Sequence, residues 1–357
     1  MNQPPFLSII VPVYNSAQYL EENIRSIQAG DFTDYELILI NDCSTDQTGA
    51  LCDRLAAADA RIRVIHLTKN GGAGPARNRG IDLARGHYLA FADADDLLDP
   101  TLFSSVAARL VEAPADQAVW GITENYYDES GTLISRNVLR PAPAFCKTPE
   151  EVHRAVLGLE QKTLFGYQCN HMYRRALLEE HQIRFAHQPL YEDFFFNMQV
   201  IRVTASMHLL DHAGYFYQKR PEGSLTARFV PEYFALSTAR IQAMTSALQD
   251  WGVFTEEARN ILGNLYFRYI LSALMRNCDP RAGMSHKDRA GFIRTLRASP
   301  LYQMLCIPAR PAGLPFKLLK ASLRHAAPLA LLLGRAVFMI RERDTAGFNR
   351  KKQIKAQ

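Results

Sequence analysis

Four apolar runs alternating with helix-like segments fill the first hundred residues, and they leave few folds open. Leu7-Ser-Ile-Ile-Val-Pro-Val-Tyr14 is nearly continuous in apolar residues. That is the pattern of a strand covered on both faces, not of one facing water. Glu36-Leu-Ile-Leu-Ile40, Arg61-Ile-Arg-Val-Ile-His-Leu67 and a run starting at His87-Tyr-Leu-Ala-Phe91 read as three further strands. Helices are expected from Ser16, as a cap, to about Gln28, and from Asp46 to about Ala58. A third should run from the loop Asn70-Gly-Gly-Ala-Gly-Pro75 to about Ala84. Such alternation implies an α/β fold, with a mostly parallel sheet wound by right-handed crossovers and flanked by helices. Ligands then bind beyond the carboxyl ends of the strands.

The residues at those ends carry chemistry. The fourth strand runs into Asp93, Asp95 and Asp96. Side chains two apart on a strand share a face, so Asp93 and Asp95 can converge, and a hard divalent cation would relieve their mutual repulsion. Mn²⁺ or Mg²⁺ bridging to a phosphorylated ligand is one reading; a solvated acidic turn leading into Asp99-Pro100 is the other. Strand two ends in Asn41-Asp-Cys-Ser-Thr-Asp46, where Asp46 reads as a helix cap and Asp42 as a ligand for a base N–H or a ribose hydroxyl. Glycines in Asn70–Gly80 allow close approach of backbone to phosphate, with Arg77 and the positive helix end completing an anion site. Arg77 and Arg79 can equally solvate a helix face. A dinucleotide-binding turn is excluded, because strand one is followed by Pro12-Val-Tyr-Asn15 without a glycine.

The remaining chain is less regular. Residues from about 115 to 215 read as short strands and loops, including a strand Ala118–Ile122 and a turn Asp128-Glu-Ser-Gly131. Beyond about 230 the periodicity predicts helices Glu232–Gln249, Glu256–Met275 and His286–Ala298. Cys43, Cys52, Cys146, Cys169, Cys278 and Cys306 form no CxxC pair, so free thiols in a reducing compartment are expected. His171, His187 and His212 lack metal-ligand spacing.

Taken together and in order, Ser8-Ile-Ile-Val-Pro-Val-Tyr-Asn15, Asn41–Asp46, Asn70–Gly80 and Phe91-Ala-Asp-Ala-Asp-Asp96 resemble the family-2 glycosyltransferases of the GT-A fold, of the bacterial cell-surface polysaccharide type. The resemblance continues through Met172-Tyr-Arg-Arg175 and Tyr191-Glu-Asp-Phe194 to about residue 228. It implies an inverting, metal-dependent transferase that moves a sugar from a nucleotide-diphosphate donor, UDP-linked in most members, to a hydroxyl of a saccharide or lipid-linked acceptor. By the same resemblance Pro12 and Tyr14 line the nucleoside pocket, Asp42 accepts from uracil, and Arg77 lies near the diphosphate. Asp93, Asp95 and Asp96 supply the metal site. Inversion needs one base for the acceptor proton, and the metal can neutralise the leaving diphosphate. Asp193 is the base candidate, in an apolar setting that would raise its pKa, and Glu192 its companion. Arg220, Ser224 and Thr226 lie in a segment resembling one that closes over the donor; an ordinary polar loop is the alternative. There is no QxxRW motif of the processive synthases. The rival readings are a nucleotidyltransferase and a non-catalytic interaction protein on the same fold.

Three regions are expected: a catalytic domain over 1–225, a helical region over 226–309, and a basic amphipathic tail over 310–357. The tail holds eleven Lys and Arg against Glu342 and Asp344, a net +9 within a chain of net +5. The aromatic–basic interleaving typical of nucleic-acid platforms does not appear there, so nucleic acid is not expected as a partner. An anionic membrane surface fits the composition better. The apolar stretch Ala326–Ile340 spans 15 residues and carries Arg335, short of the ~20 needed to cross a bilayer. Met1-Asn-Gln-Pro-Pro5 leads straight into a strand without a basic-then-apolar leader. Together these place the expected protein in the cytoplasm, at the inner face of the membrane.

Overall fold

The computed structural model describes residues 3–220, 229–325 and 327–343. The chain divides into two compact units, Met1–Glu222 and Gly223–Gln357. The expected boundary at 225, with Ser224 and Thr226, lies outside the described residues, as does the tail beyond 343.

The first unit starts with β1 (Leu7–Val13), α1 (Leu20–Gln28), β2 (Tyr35–Asn41), α2 (Thr48–Ala58), β3 (Ile62–His66), α3 (Ala73–Leu83) and β4 (Tyr88–Phe91). It continues through β5 (Leu97–Leu98), α4 (Leu102–Glu112), β6 (Gln117–Val119), β7 (Ile122–Tyr127), β8 (Leu133–Leu139) and β9 (Ala144–Cys146). Then come α5 (Pro149–Gln161), β10 (His171–Arg174), α6 (Arg175–Glu180), α7 (Glu192–Ile201), β11 (Met207–Leu209) and β12 (Tyr215–Lys219). An eight-stranded sheet runs β3-β2-β1-β4-β10-β6-β11-β9, and a four-stranded sheet runs β5-β12-β7-β8. Strands β1 to β4 pair in parallel, with Leu7 opposite both Tyr35 and Tyr88, so their carboxyl ends open at one edge. Every residue of β2 and β4 is buried, as a sheet covered by helices on both faces requires.

Two local expectations are corrected. The helix after β1 begins at Leu20 rather than at Ser16. The Ser16 hydroxyl donates to the Tyr14 carbonyl at 3.1 Å instead of capping. The single strand expected at Ala118–Ile122 is two: β6 belongs to the large sheet and β7 to the small one. The chain crosses between them at Trp120-Gly121, where a Cβ on Gly121 would meet the Leu139 carbonyl oxygen at 2.4 Å. Only glycine allows that approach.

The second unit is helical: α8 (Tyr233–Asp250), α9 (Glu256–Arg276), α10 (His286–Ala298), α11 (Pro300–Leu305), α12 (Leu314–His325) and α13 (Ala327–Arg343). Thr255 caps α9, and Ser285 with Asp288 forms a capping box on α10, so sequence and structure agree on where these helices start. Leu319 and Leu323 of α12 and Ala330 of α13 are buried. The opposite faces leave Leu314, Leu318, Leu329, Leu332, Met339 and Ile340 exposed. No helix among the described residues is long and apolar enough to cross a membrane.

Candidate active site

Three loops at the carboxyl ends of β1, β2 and β3 are stitched together by side chains. The Asn15 backbone N–H donates to Ser44 Oγ at 3.0 Å, and the Asn15 amide oxygen accepts from Thr45 N–H at 2.9 Å. Asp46 accepts from Thr48 N–H at 2.9 Å, which satisfies one donor of the first turn of α2 from two residues before it. Asn15 and Cys43 hold left-handed backbone conformations at these tips. Such strain is kept where surrounding bonds fix it. Pro12 is half-buried and Tyr14 is 47% exposed, so the Tyr14 ring is open to a ligand at this edge.

Asp42 and Arg77 depart from the sequence reading. Asp42 is buried, and its two carboxylate oxygens accept from the N–H groups of Gly71 at 2.9 Å and Gly72 at 2.7 Å. It ties the Gly-rich loop to β2 and presents no free surface to a base. Arg77 is buried in α3 and contacts three carboxylates. Its Nη2 donates to Asp93 at 2.9 Å, and its Nη1 donates to Glu192 at 2.9 Å and to Asp193 at 3.0 Å. The Glu192 carboxylate also crowds the start of α3, where a Cβ on Gly74 would lie 2.8 Å from Glu192 Oε2. The anion cradle inferred for a diphosphate is thus filled by the protein's own carboxylates. Burial works against the charge of Arg77, but Asp193, Asp93 and Glu192 hold it firmly protonated.

The acidic loop after β4 splits its three carboxylates. Asp95 is exposed. Partial desolvation of its carboxyl by the surrounding loop and the charge of Asp93 raise its pKa. Asp93 is half-buried, and its Oδ1 accepts from Arg77 and, at 3.2 Å, from Gln168. Asp96 is fully buried, accepting from Tyr215 Oη–H at 2.8 Å and Gln218 N–H at 2.8 Å. Burial pushes its pKa well up, reinforced by Asp93 and Asp95. The expectation that Asp96 ligates a metal is corrected: it has no exposed oxygen and instead braces the loop. The Asn23 amide of α1 adds two bonds to that brace, donating to the Asp93 and Asp96 carbonyls at 3.1 and 2.7 Å.

No group of three His, Cys, Asp or Glu side chains among the described residues is arranged to hold a metal ion. Asp93 and Asp95 nevertheless suit a hard divalent cation of the Mg²⁺ type. Such ions take one or two carboxylates and complete their shell with water and substrate phosphate, not with an all-protein cage. Arg220 lies beside this pair, its Nη1 donating to the Asp95 carbonyl at 3.0 Å and its guanidinium resting over the Tyr19 ring at 4.2 Å.

Glu192 and Asp193 open α7, preceded by Tyr191 in a left-handed conformation at φ 65°. Phe194 and Phe196 anchor the helix, with Phe196 stacked on Phe185 at 3.9 Å and Phe194 edge-on to Phe165 at 5.6 Å. Burial pushes the Asp193 carboxyl up to about 7, against the pull of Arg77 and with the help of Glu192 and Asp93. Its side chain keeps 27% of its surface open. His171 is buried and held to about 3 by that burial, hence neutral.

Asn23, Gln168, Tyr215 and Gln218 escaped the sequence reading. Asn23 alone left a signal, a polar residue on the same face of α1 as Leu20, Ile24 and Ile27.

A parallel sheet with carboxylates gathered at its strand ends places the candidate site where open α/β folds bind their ligands. The family model for glycosyl transferase family 2 matches residues 8–182. The uncharacterized glycosyltransferase EpsJ of Bacillus subtilis is 30% identical over 344 residues, covering 94% of this chain and 95% of EpsJ. The crystal structure of S. aureus TarS 1–349 in complex with UDP-GlcNAc is similar with a TM-score of 0.63 at 21% identity, over 94% of this chain and 91% of that one. The mannosyltransferase PcManGT from Pyrobaculum calidifontis, in complex with GDP-Man and Mn²⁺, is similar at a TM-score of 0.51 and 16% identity, over 95% and 88% of the two chains. The chain belongs to glycosyltransferase family 2 and has the GT-A fold. It is a glycosyltransferase, not a nucleotidyltransferase or a non-catalytic relative.

Proposed function

We propose that this enzyme transfers one sugar, with inversion, from a UDP-linked donor to a hydroxyl of a saccharide or lipid-linked acceptor in cell-surface glycan synthesis. The observation that carries the reading is the Arg77 cluster. One buried guanidinium joins Asp93, from the strand edge where a nucleotide would bind, to Glu192 and Asp193 on a separate helix. Asp193 is the base: it takes the acceptor proton as that oxygen bonds to the anomeric carbon and the bond from that carbon to the diphosphate oxygen breaks. Its raised pKa makes it a stronger base than an ordinary carboxylate while leaving it ionised above neutrality. Glu192 orients Arg77 and the start of α7. Tyr14 and Pro12 face the nucleoside, and Arg220 approaches the diphosphate. Asp93 and Asp95 would hold Mn²⁺ or Mg²⁺, which when bound neutralises charge developing on the leaving diphosphate. Uridine is favoured by TarS, whose fold this chain shares and whose structures include UDP-GlcNAc and UDP complexes.

The same reading places the enzyme at the inner face of the cytoplasmic membrane. Leu329, Leu332, Met339 and Ile340 repeat at helical spacing on the exposed face of α13 around Arg335, with Leu314 and Leu318 flanking Lys317 on α12. No Asp or Glu occurs between Asp288 and Glu342. Each basic residue adds about 1 kcal/mol near an anionic surface. Full-length protein is expected to pellet with anionic but not neutral vesicles and to lose binding on combining Leu329→Glu with Leu332→Glu.

The catalytic assignment is tested by UDP release from a panel of UDP-sugars with Mn²⁺. Asp95→Ala and Asp193→Ala should each fold and lose turnover. Near-normal turnover in either variant would overturn that residue's role.

A further inference from the structure

We propose that Gln168 is a positioning residue that fixes which oxygen of Asp93 faces the donor. The proposal rests on the reading of Asp93 as a donor-side carboxylate that helps hold a divalent cation.

Asp93 Oδ1 accepts from two donors, Arg77 Nη2 at 2.9 Å and Gln168 Nε2 at 3.2 Å. Oδ2 lies 3.5 Å from the same Gln168 nitrogen, at the limit of a hydrogen bond. Oδ1 is therefore saturated, and Oδ2 keeps the lone pairs that a cation or a nucleotide hydroxyl would use. Without Gln168 the carboxylate would be held at one point, by Arg77 alone, and free to turn about that bond.

Gln168 is 1% exposed, so its amide faces Asp93 and not water. Its loop is held in place from α7 as well. Asn197 of that helix donates to the Phe165 carbonyl at 2.7 Å and to the Tyr167 carbonyl at 2.8 Å, and accepts from Tyr173 Oη–H at 2.7 Å. Asn170 closes the other end by donating to the Trp120 carbonyl at 2.9 Å. The helix that carries Glu192 and Asp193 thus sets the loop that aims Asp93. Both halves of the reacting geometry share one scaffold, the kind of support a site needs to hold its contacts within a fraction of an ångström.

The test compares wild type with Gln168→Met, which keeps the volume and removes the N–H donor. UDP binding is measured by calorimetry with and without Mn²⁺, alongside steady-state kinetics. The variant should bind UDP in the presence of Mn²⁺ about tenfold more weakly, the loss expected for one hydrogen bond to a charged group. Binding of UDP without Mn²⁺ and the acceptor KM should stay unchanged. If Q168M does not fold, Gln168→Asn, which keeps the amide one methylene short, makes the same comparison. A variant that binds UDP with Mn²⁺ as wild type does, while Asp93→Ala does not, overturns the proposal and leaves Gln168 a packing residue. A wild type that binds UDP equally with and without Mn²⁺ gives a different result: it refutes the cation reading of Asp93, and the proposal with it.

Discussion

Replacing Arg77 by methionine removes the single cation that holds three carboxylates together while keeping most of the side-chain volume. Substituting a whole buried ion pair with apolar groups can be neutral, but here Asp93, Glu192 and Asp193 would remain, facing one another without their partner. Removing one member of a buried pair costs about 3–5 kcal/mol. The three carboxylates are 28%, 23% and 27% exposed, so water screens part of that repulsion and the lower end, about 3 kcal/mol, is expected. For a unit of this size that corresponds to roughly 6–12 °C in Tm. The cost should depend on pH. Burial already raises the Asp193 carboxyl to about 7, and loss of Arg77 would raise it further. A carboxyl whose folded-state pKa lies above its unfolded value supports the fold below the unfolded pKa, and that support is lost as pH rises through the folded pKa. Arg77→Met should therefore approach wild-type stability near pH 5 and fall away from it through pH 7 to 9. Thermal denaturation of both proteins across that range is the assay. A Tm difference that is constant with pH, or below about 2–4 °C throughout (the equivalent of about 1 kcal/mol), would show that the three carboxylates do not share one charge balance.

Other outcomes follow from the same geometry. In wild type, kcat/KM should rise about tenfold per pH unit up to about 7 and level off above it, as Asp193 ionises; Asp193→Asn should lower kcat by at least about a hundredfold at unchanged Tm. Asp96→Asn should cost about 1–3 kcal/mol of stability, because an amide can accept from Tyr215 or Gln218 but sets its own NH₂ against the other donor. Asp95→Asn should leave stability intact and weaken Mn²⁺-dependent UDP binding, so exchange of these two outcomes would reverse the roles given to Asp95 and Asp96. Gly74→Ala should push Glu192 away from Arg77, since the new methyl would lie 2.8 Å from Glu192 Oε2; activity should drop more than Tm, and an unchanged kcat would show that Glu192 is not needed there.

The sequence by itself determined the fold class and the family. Buried parallel strands read as near-continuous apolar runs, so β1, β2 and β4 stand out around Leu7–Val13, Tyr35–Asn41 and Tyr88–Phe91 without any tertiary knowledge, and β3, partly exposed at Ile62–His66, follows from its β-branched residues between two helices. The helices starting at Glu256 and His286 were legible from their periodicity, and the structure adds the capping side chains of Thr255 and Ser285 just before them. The carboxylates at the strand ends could be listed from sequence, but not sorted. Asp93, Asp95 and Asp96 are chemically alike and adjacent in the chain; burial against Tyr215 and Gln218, more than a hundred residues away, makes one of them a brace and leaves another exposed. The partners of Arg77 and Asp42 were illegible for a related reason. A glycine loop, a helix start and an arginine look alike in sequence whether they receive a ligand's phosphate or the protein's own carboxylates. Only the tertiary structure, by bringing Glu192 and Asp193 across from α7, decides which charges meet there, because a charge pair is set by distance in space and not by position along the chain.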